Sequence, residues 1–220
     1  MKLALFDLDG TLTDSEAGIL ASIEYALAKL GAKAPPRAEL RDWIGPPLRV
    51  TFPRVLGDDA AVIERAVELY REHYSSIGWR EYIVYAGIGE AVDALAAAGT
   101  TLAVVTSKAA LYASRIVESL PFGTAFARVY AVAPDSAHSE KATMIAQALA
   151  DFGVPASDAA MIGDRRFDIE GARANGVRAI GVEWGFGSRE ELLDAGADAI
   201  AANPRELVAA LLRPDDMATS

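Results

Sequence analysis

The sequence predicts an α/β fold, a doubly wound, Rossmann-like parallel sheet with a small inserted all-α cap. Three observations lead there. From about residue 83 onward, short apolar runs alternate with helical patterns. The first apolar run, Leu3-Ala4-Leu5-Phe6, drives straight into Asp7-Leu8-Asp9-Gly10-Thr11. Residues from about 15 to 80 carry helical periodicity and no strand pattern.

Each element follows in order. Four consecutive apolar residues at 3–6 suit a parallel strand buried on both faces. Ile19, Leu20, Ile23, Ala26, Leu27 and Leu30 mark one amphipathic helix, and Ile63, Ala66, Val67, Tyr70, Tyr74 and Ile77 a second. These helices define a cap domain at 15–80, inserted over the carboxyl end of the first strand. Residues 1–14 and 81–220 then form the core. Ile88, Ala91, Val92 and Leu95 give a helix stopped at Gly99. Strands are expected at 102–106 and 127–132. A helix on Met144, Ile145, Ala148, Leu149 and Phe152 closes at Gly153 and Pro155. Strands at 159–163 and 178–182 follow, with a short edge strand at 199–201.

Composition narrows the function. The 220 residues are 52% hydrophobic, enough for a substantial core, and carry a formal charge of −10. That balance argues against nucleic-acid polymers and anionic membrane surfaces as partners. Zero cysteines exclude disulfides, thiol catalysis and thiolate metal sites. The first apolar run is too short for a signal peptide or a membrane span, so a soluble, cytoplasmic chain is expected. The polar tail at 214–220 is expected to fray.

In open α/β sheets, ligands gather beyond the carboxyl ends of the strands. Three expected strands end in polar groups. The first ends in Asp7 and Asp9. The second runs into Thr106-Ser107-Lys108, expected to open a helix whose N-terminus can hold an anion. A third runs into Gly163-Asp164, with Asp168 four residues on, and Lys141 sits near the start of the preceding helix. Singly, each has a plainer reading: an Asp-Gly turn, a helix-capping Thr or Ser, a solvated lysine, an N-cap or first-turn aspartate. Their meeting at strand ends in one fold weakens those readings.

Taken in order, Asp7-Leu-Asp-Gly-Thr11, Thr106, Lys141 and Gly163-Asp-Arg-Arg-Phe-Asp168 resemble the four signature motifs of the haloacid dehalogenase superfamily of aspartate-nucleophile phosphatases. Ile44-Gly-Pro-Pro-Leu48 and Gly181-Val-Glu-Trp-Gly-Phe-Gly-Ser188 are similar to its phosphoglycolate phosphatase and 5′-nucleotidase-like branch. Two positions depart from the family pattern: Ala86 stands where a proline often precedes the glycine, and Ala142 where a proline often follows the lysine.

The resemblance implies a phosphomonoester hydrolase. Asp7 would be the nucleophile and Asp9 the acid and base. Lys141, Thr106 and the amides from Ser107 onward would hold the phosphoryl oxygens. A Mg²⁺ would sit on the Asp7 carboxylate, the Asp9 main-chain carbonyl and Asp164, with Asp168 ordering waters or holding Lys141. Charge supports a cation, since four carboxylates against one lysine leave −3. Hinges are expected at Thr13-Asp14-Ser15 and Tyr85-Ala86-Gly87, where Asp14 or Ser15 reads as a helix cap. Gly45, Pro46 and Arg49 are candidate substrate contacts, with an interhelix turn as the alternative. Arg49 would suit the second acid of phosphoglycolate, and Trp43 or Phe52 would stack a nucleotide base. His73 and His138 read as surface residues. The partner is then a small phosphorylated metabolite, for a monomer or homodimer. Two alternatives remain at this point: a phosphosugar mutase of the same superfamily, and a receiver-like signalling domain phosphorylated on aspartate. Receiver domains usually carry the acceptor on a middle strand and have no helical insert.

Overall fold

The computed structural model describes residues 1–133 and 141–212. His138 and the tail at 214–220 lie outside the described residues. The chain begins with β1 (Leu3–Phe6) and crosses β2 (Thr13–Asp14) into α1 (Glu16–Lys29). Three single-turn helices follow, α2 (Arg37–Leu40), α3 (Leu48–Thr51) and α4 (Pro53–Leu56), before the long α5 (Ala60–Ser76). It returns through β3 (Ile83–Val84) to α6 (Ile88–Ala97), β4 (Thr101–Ala109), α7 (Ala110–Ser119) and β5 (Phe126–Val132). The remaining elements are α8 (Lys141–Phe152), β6 (Ala159–Gly163), α9 (Arg166–Ala174), β7 (Arg178–Val182), α10 (Arg189–Asp194), β8 (Ala199–Ala201) and α11 (Pro204–Leu211).

Two compact units result, Met1–Thr13 with Val84–Ser220, and Asp14–Ile83. In the first, six strands pair in the order β5-β4-β1-β6-β7-β8. Every neighbouring pair is parallel. From β1 the chain winds outward through β4 and β5, then returns to β6 on the other side of β1. The strand order therefore reverses at β1, whose carboxyl end is the natural ligand crevice of such a sheet. All four β1 side chains are fully buried, as a strand covered on both faces requires. Leu3 and Leu5 pack with Ala103, Val105, Met161 and Ile145 in a core between the sheet and helices α8 and α9.

The second unit is all-helical apart from its strand ends. Helix α1 buries Ile19, Leu20, Ile23, Ala26 and Leu27, as its periodicity predicts. Helix α5 buries Ala66, Val67, Leu69 and Tyr74, and Asp59 caps it by accepting from the Ala61 and Val62 amides. Ile77 departs from expectation. The helix ends at Ser76, so Ile77 leaves the apolar face and is 47% exposed. At the start of α1 the capping acceptor is Asp14, which takes the Glu16 amide at 3.0 Å, while the buried Ser15 hydroxyl makes no hydrogen bond with the described residues.

The second core strand also differs. It was expected to stop at 106, but β4 continues to Ala109 and α7 opens only at Ala110. Pairing with β5 resumes at Ala109↔Val132 after a register shift beyond Val105. Ser107 and Lys108 are thus strand residues, not the first turn of a helix.

Candidate active site

Strand β1 aims Asp7 and Asp9 from the point where the strand order reverses. The Asp7 amide still donates to the Ile162 carbonyl of β6, at 2.9 Å, so the sheet fixes its backbone. Asp164 leaves the end of β6 alongside it. Its Oδ1 accepts from the Thr11 hydroxyl at 3.2 Å and its Oδ2 from the Phe186 amide at 2.8 Å. Asp168, in the first turn of α9, accepts the Arg165 amide on Oδ2 at 3.0 Å. Its Oδ1 takes the ammonium of Lys141, the first residue of α8. Lys141 Nζ also pairs with Asp7 Oδ1 at 2.8 Å. Asp7, Thr106, Lys141, Asp164 and Asp168 are all buried. The structure thus brings four motifs to one sheet edge. Thr106, on the neighbouring strand β4, uses its hydroxyl to accept the Lys108 amide at 3.3 Å, and Ser107 is half-buried beside it.

Lys108 was given no role in the sequence reading, yet it is the ion partner of Asp9, Nζ to Oδ2 at 2.6 Å. The other oxygen of Asp9, Oδ1, is buried and takes no hydrogen bond from the described residues. A second cation lowers the formal imbalance from −3 to −2, which still leaves excess negative charge. Burial and the crowding of acids both show in the proton affinities. Burial pushes the Asp7 carboxyl up from 3.8 to about 6; Lys141 opposes this, and the charge of Asp168 adds to it. Burial, reinforced by Asp168 and Asp7, also holds Asp164 well above the usual carboxylate range, against the Phe186 amide. Burial alone would lower the Lys141 pKa, but Asp168 and Asp7 outweigh it and raise the ammonium above its ordinary value.

The acids fit a hard divalent cation. Asp7, Asp164 and Asp168 each offer an oxygen, and these atoms all lie within 4.8 Å of one another. The Lys141 ammonium, 2.8 Å from Asp7 Oδ1, is shared with Asp168, so it does not balance the three acids by itself. An all-oxygen set suits Mg²⁺ over zinc. Close packing tightens the cradle: a Cβ on Gly10, itself at φ +86°, would meet Asp164 Oδ2 at 2.2 Å, and one on Gly185 would meet the Asp164 Cβ at 2.3 Å. An open concavity of about 520 Å³ lies elsewhere, lined by Ser157, Arg173, Arg178 and Asp198 at the amino ends of β6, β7 and β8. It carries none of these acids.

The helical unit carries the other residues singled out in the sequence. Arg49 forms a two-pronged pair with Glu64, Nε–Oε1 2.6 Å and Nη2–Oε2 2.8 Å. Its guanidinium is occupied rather than free. Trp43 and Phe52 are buried and pack edge-to-face on each other at 6.0 Å, because an apolar insert of this size needs them for its own core. They offer no stacking surface. Gly45 is exposed, in the left-handed region at φ +107°, and Pro46 is half-buried. His73 is half-buried rather than on the surface, with Nδ1 3.0 Å from the Ser22 hydroxyl and its ring 5.0 Å from that of Tyr25.

Comparison with known proteins agrees with this geometry. A 5′-nucleotidase of Pseudomonas aeruginosa is 43% identical over 188 residues, which cover 86% of this chain and 85% of that one. The tyrosine-protein kinase PtkA of Mycobacterium tuberculosis is 37% identical over 194 residues, 88% of this chain but only 65% of the relative. The crystal structure of a predicted phosphatase from Clostridium acetobutylicum superposes with a TM-score of 0.89 at 36% identity, covering 96% of this chain and 98% of that one. The sequence profile of haloacid dehalogenase-like hydrolases matches residues 4–182. With its motifs gathered at the reversal point of a matching sheet, the chain belongs to the haloacid dehalogenase-like hydrolase family.

Proposed function

We propose that this protein is a Mg²⁺-dependent phosphomonoesterase that works through an aspartyl-phosphate on Asp7, with a 5′-nucleotide or similarly small phosphorylated metabolite as substrate. The observation that carries the reading is the Asp7 carboxylate: buried, at the reversal point of the sheet, 2.8 Å from the Lys141 ammonium, and grouped with Asp164 and Asp168 so that one oxygen of each lies within 4.8 Å of the others. Asp7 and Asp164 would hold the cation, together with the Asp9 carbonyl. When bound, Mg²⁺ supplies positive charge against the transferring phosphoryl group.

The chain's own residues account for the rest. An Asp7 oxygen attacks phosphorus and the bond to the leaving alkoxide breaks. Asp9 hands that alkoxide a proton, and its unpaired Oδ1 is the atom suited to carry it, since Oδ2 is taken by Lys108. Asp9 then takes a proton from water, which attacks the phosphorus of phospho-Asp7, releasing phosphate and restoring the carboxylate. Lys141 balances Asp7 and the phosphoryl oxygens, held in direction by Asp168. Thr106 adds a hydroxyl donor.

The name of the 43%-identical relative supports a 5′-nucleotide as substrate. The Arg49–Glu64 pair engages the cation invoked for a second substrate acid, which favours a substrate without one. A cytoplasmic setting accords with the cysteine-free composition. The test is phosphate release from 5′-nucleotides, phosphoglycolate, sugar phosphates and an aryl phosphate, with Mg²⁺ and with chelator. Metal-dependent release with a preference for 5′-nucleotides is expected. Release that survives chelation, or isomerised sugar phosphate without release, would overturn the reading.

A further inference from the structure

We infer that Trp184 is a positioning residue for the cation site, tying the two acid-bearing loops together through its indole N–H; the inference rests on Asp164 holding the metal. Trp184 lies just beyond β7, whose neighbour β6 carries Asp164. Its Nε1 donates to the Thr11 carbonyl at 3.0 Å, across 173 positions of sequence. The Thr11 hydroxyl donates to Asp164 Oδ1, and the Phe186 amide, two residues past Trp184, donates to Asp164 Oδ2. The three hydrogen bonds close a circuit, Trp184 to Thr11 to Asp164 to Phe186 and back along the chain. Both oxygens of a fully buried carboxylate are thereby oriented, while each keeps a lone pair for a ligand.

The segment has no room for another path. A Cβ on Gly185 would lie 2.4 Å from the Gly10 carbonyl, and one on Gly187 would lie 2.0 Å from the Asp164 carbonyl. The 183–187 segment is therefore pressed onto both acid-bearing loops at once, and the indole N–H fixes its register against the loop at Thr11. Loosening that tie lets Asp164 turn, which weakens cation binding before it affects substrate binding.

Trp184→Phe keeps the ring and removes the donor. Calorimetric Mg²⁺ titration of the full chain should show the dissociation constant rising roughly three- to tenfold, the scale of one lost hydrogen bond beside a ligand. The kcat for phosphate release should recover at saturating Mg²⁺, with KM for the phosphomonoester unchanged. A merely structural tryptophan would lower the melting temperature and leave the Mg²⁺ constant alone, and that result would overturn the inference. Thr11→Val, which deletes the next link, should shift the Mg²⁺ constant in the same direction, and an unshifted constant there would also overturn it. Should Trp184→Phe fail to fold, Trp184→Leu, which also lacks the donor, takes its place, and an unshifted Mg²⁺ constant there would overturn the inference. Wild-type protein that takes up no Mg²⁺ would instead sink the metal reading itself, and the inference with it.

Discussion

Replacing Asp7 by asparagine should remove turnover and, at the same time, stabilise the metal-free fold. Without a cation the Asp7 carboxyl titrates at about 6 instead of 3.8, because burial disfavours the ionised form more than Lys141 favours it. The folded chain therefore holds that proton more tightly than the unfolded chain, by about 3 kcal/mol at 1.36 kcal/mol per pKa unit. This contribution is fully present below about pH 4 and lost as pH rises through about 6. Asparagine resembles the protonated carboxyl in size and charge, so it keeps at pH 7.5 what the aspartate has lost. The gain approaches about 3 kcal/mol, or roughly 6–12 °C in melting temperature for a chain of this size. Circular-dichroism melts of both proteins in chelator from pH 4 to 8 would show the gap opening near pH 5 and closing at pH 4. Added Mg²⁺ should raise the wild-type melt more than the variant's, because only the aspartate is an anionic ligand. An asparagine variant that melts below wild type in chelator at pH 7.5 would refute the reasoning. The Asp7–Lys141 attraction would then outweigh burial.

Four other outcomes follow from the same geometry. Lys141→Met leaves Asp7 and Asp168 buried without their shared cation, so denaturant unfolding in chelator should show a loss of about 3–5 kcal/mol. Lys108→Met deletes the 2.6 Å partner of Asp9 and should lower kcat/KM roughly 10- to 100-fold, the scale of one charge-assisted hydrogen bond; a change below threefold would show the pair to be idle in turnover. Arg49→Ala removes a half-exposed pair with Glu64 and should change stability by less than about 1 kcal/mol and KM by under about threefold; a KM rise beyond tenfold would mean that Arg49 leaves Glu64 for the substrate. Because protons and cation compete for Asp7, the apparent Mg²⁺ affinity measured by calorimetry should be steady at pH 7.5 and fall below about pH 6.

What the sequence revealed was local or periodic. A four-residue apolar run ending in two aspartates announces a buried strand and its polar tip, and the structure keeps both. Helix α1 was legible because a 3.6-residue stripe survives in any packing context. The partners that complete the site were not legible, because they come from distant strands. Asp9 and Lys108 are 99 positions apart, and only the register of β4 beside β1 joins them. Trp184 and Thr11 meet for the same reason, with a strand on either side of Asp164. The extension of β4 to Ala109 was hidden too, since a register shift in strand pairing leaves no mark on composition. In the helical unit the misreading of Trp43 and Phe52 has a plain cause: a small domain has few large apolar residues, and its own core claims them first.

The site's energetics follow from where its charges are anchored. Four carboxylates face two ammonium groups, and the acids cannot move apart, because Asp7 and Asp164 leave adjacent paired strands and Asp168 is fixed in the first turn of a helix. A flexible loop would relieve the repulsion by turning its acids to solvent; a strand end in a covered sheet cannot. In the metal-free protein burial first, and the neighbouring acids after it, raise the proton affinity of Asp7 and Asp164. A cation bound among these acids would offset their charge where the backbone already holds them. The same fixed anchorage would preorganise a cation site, since the ligands would not have to be gathered on binding.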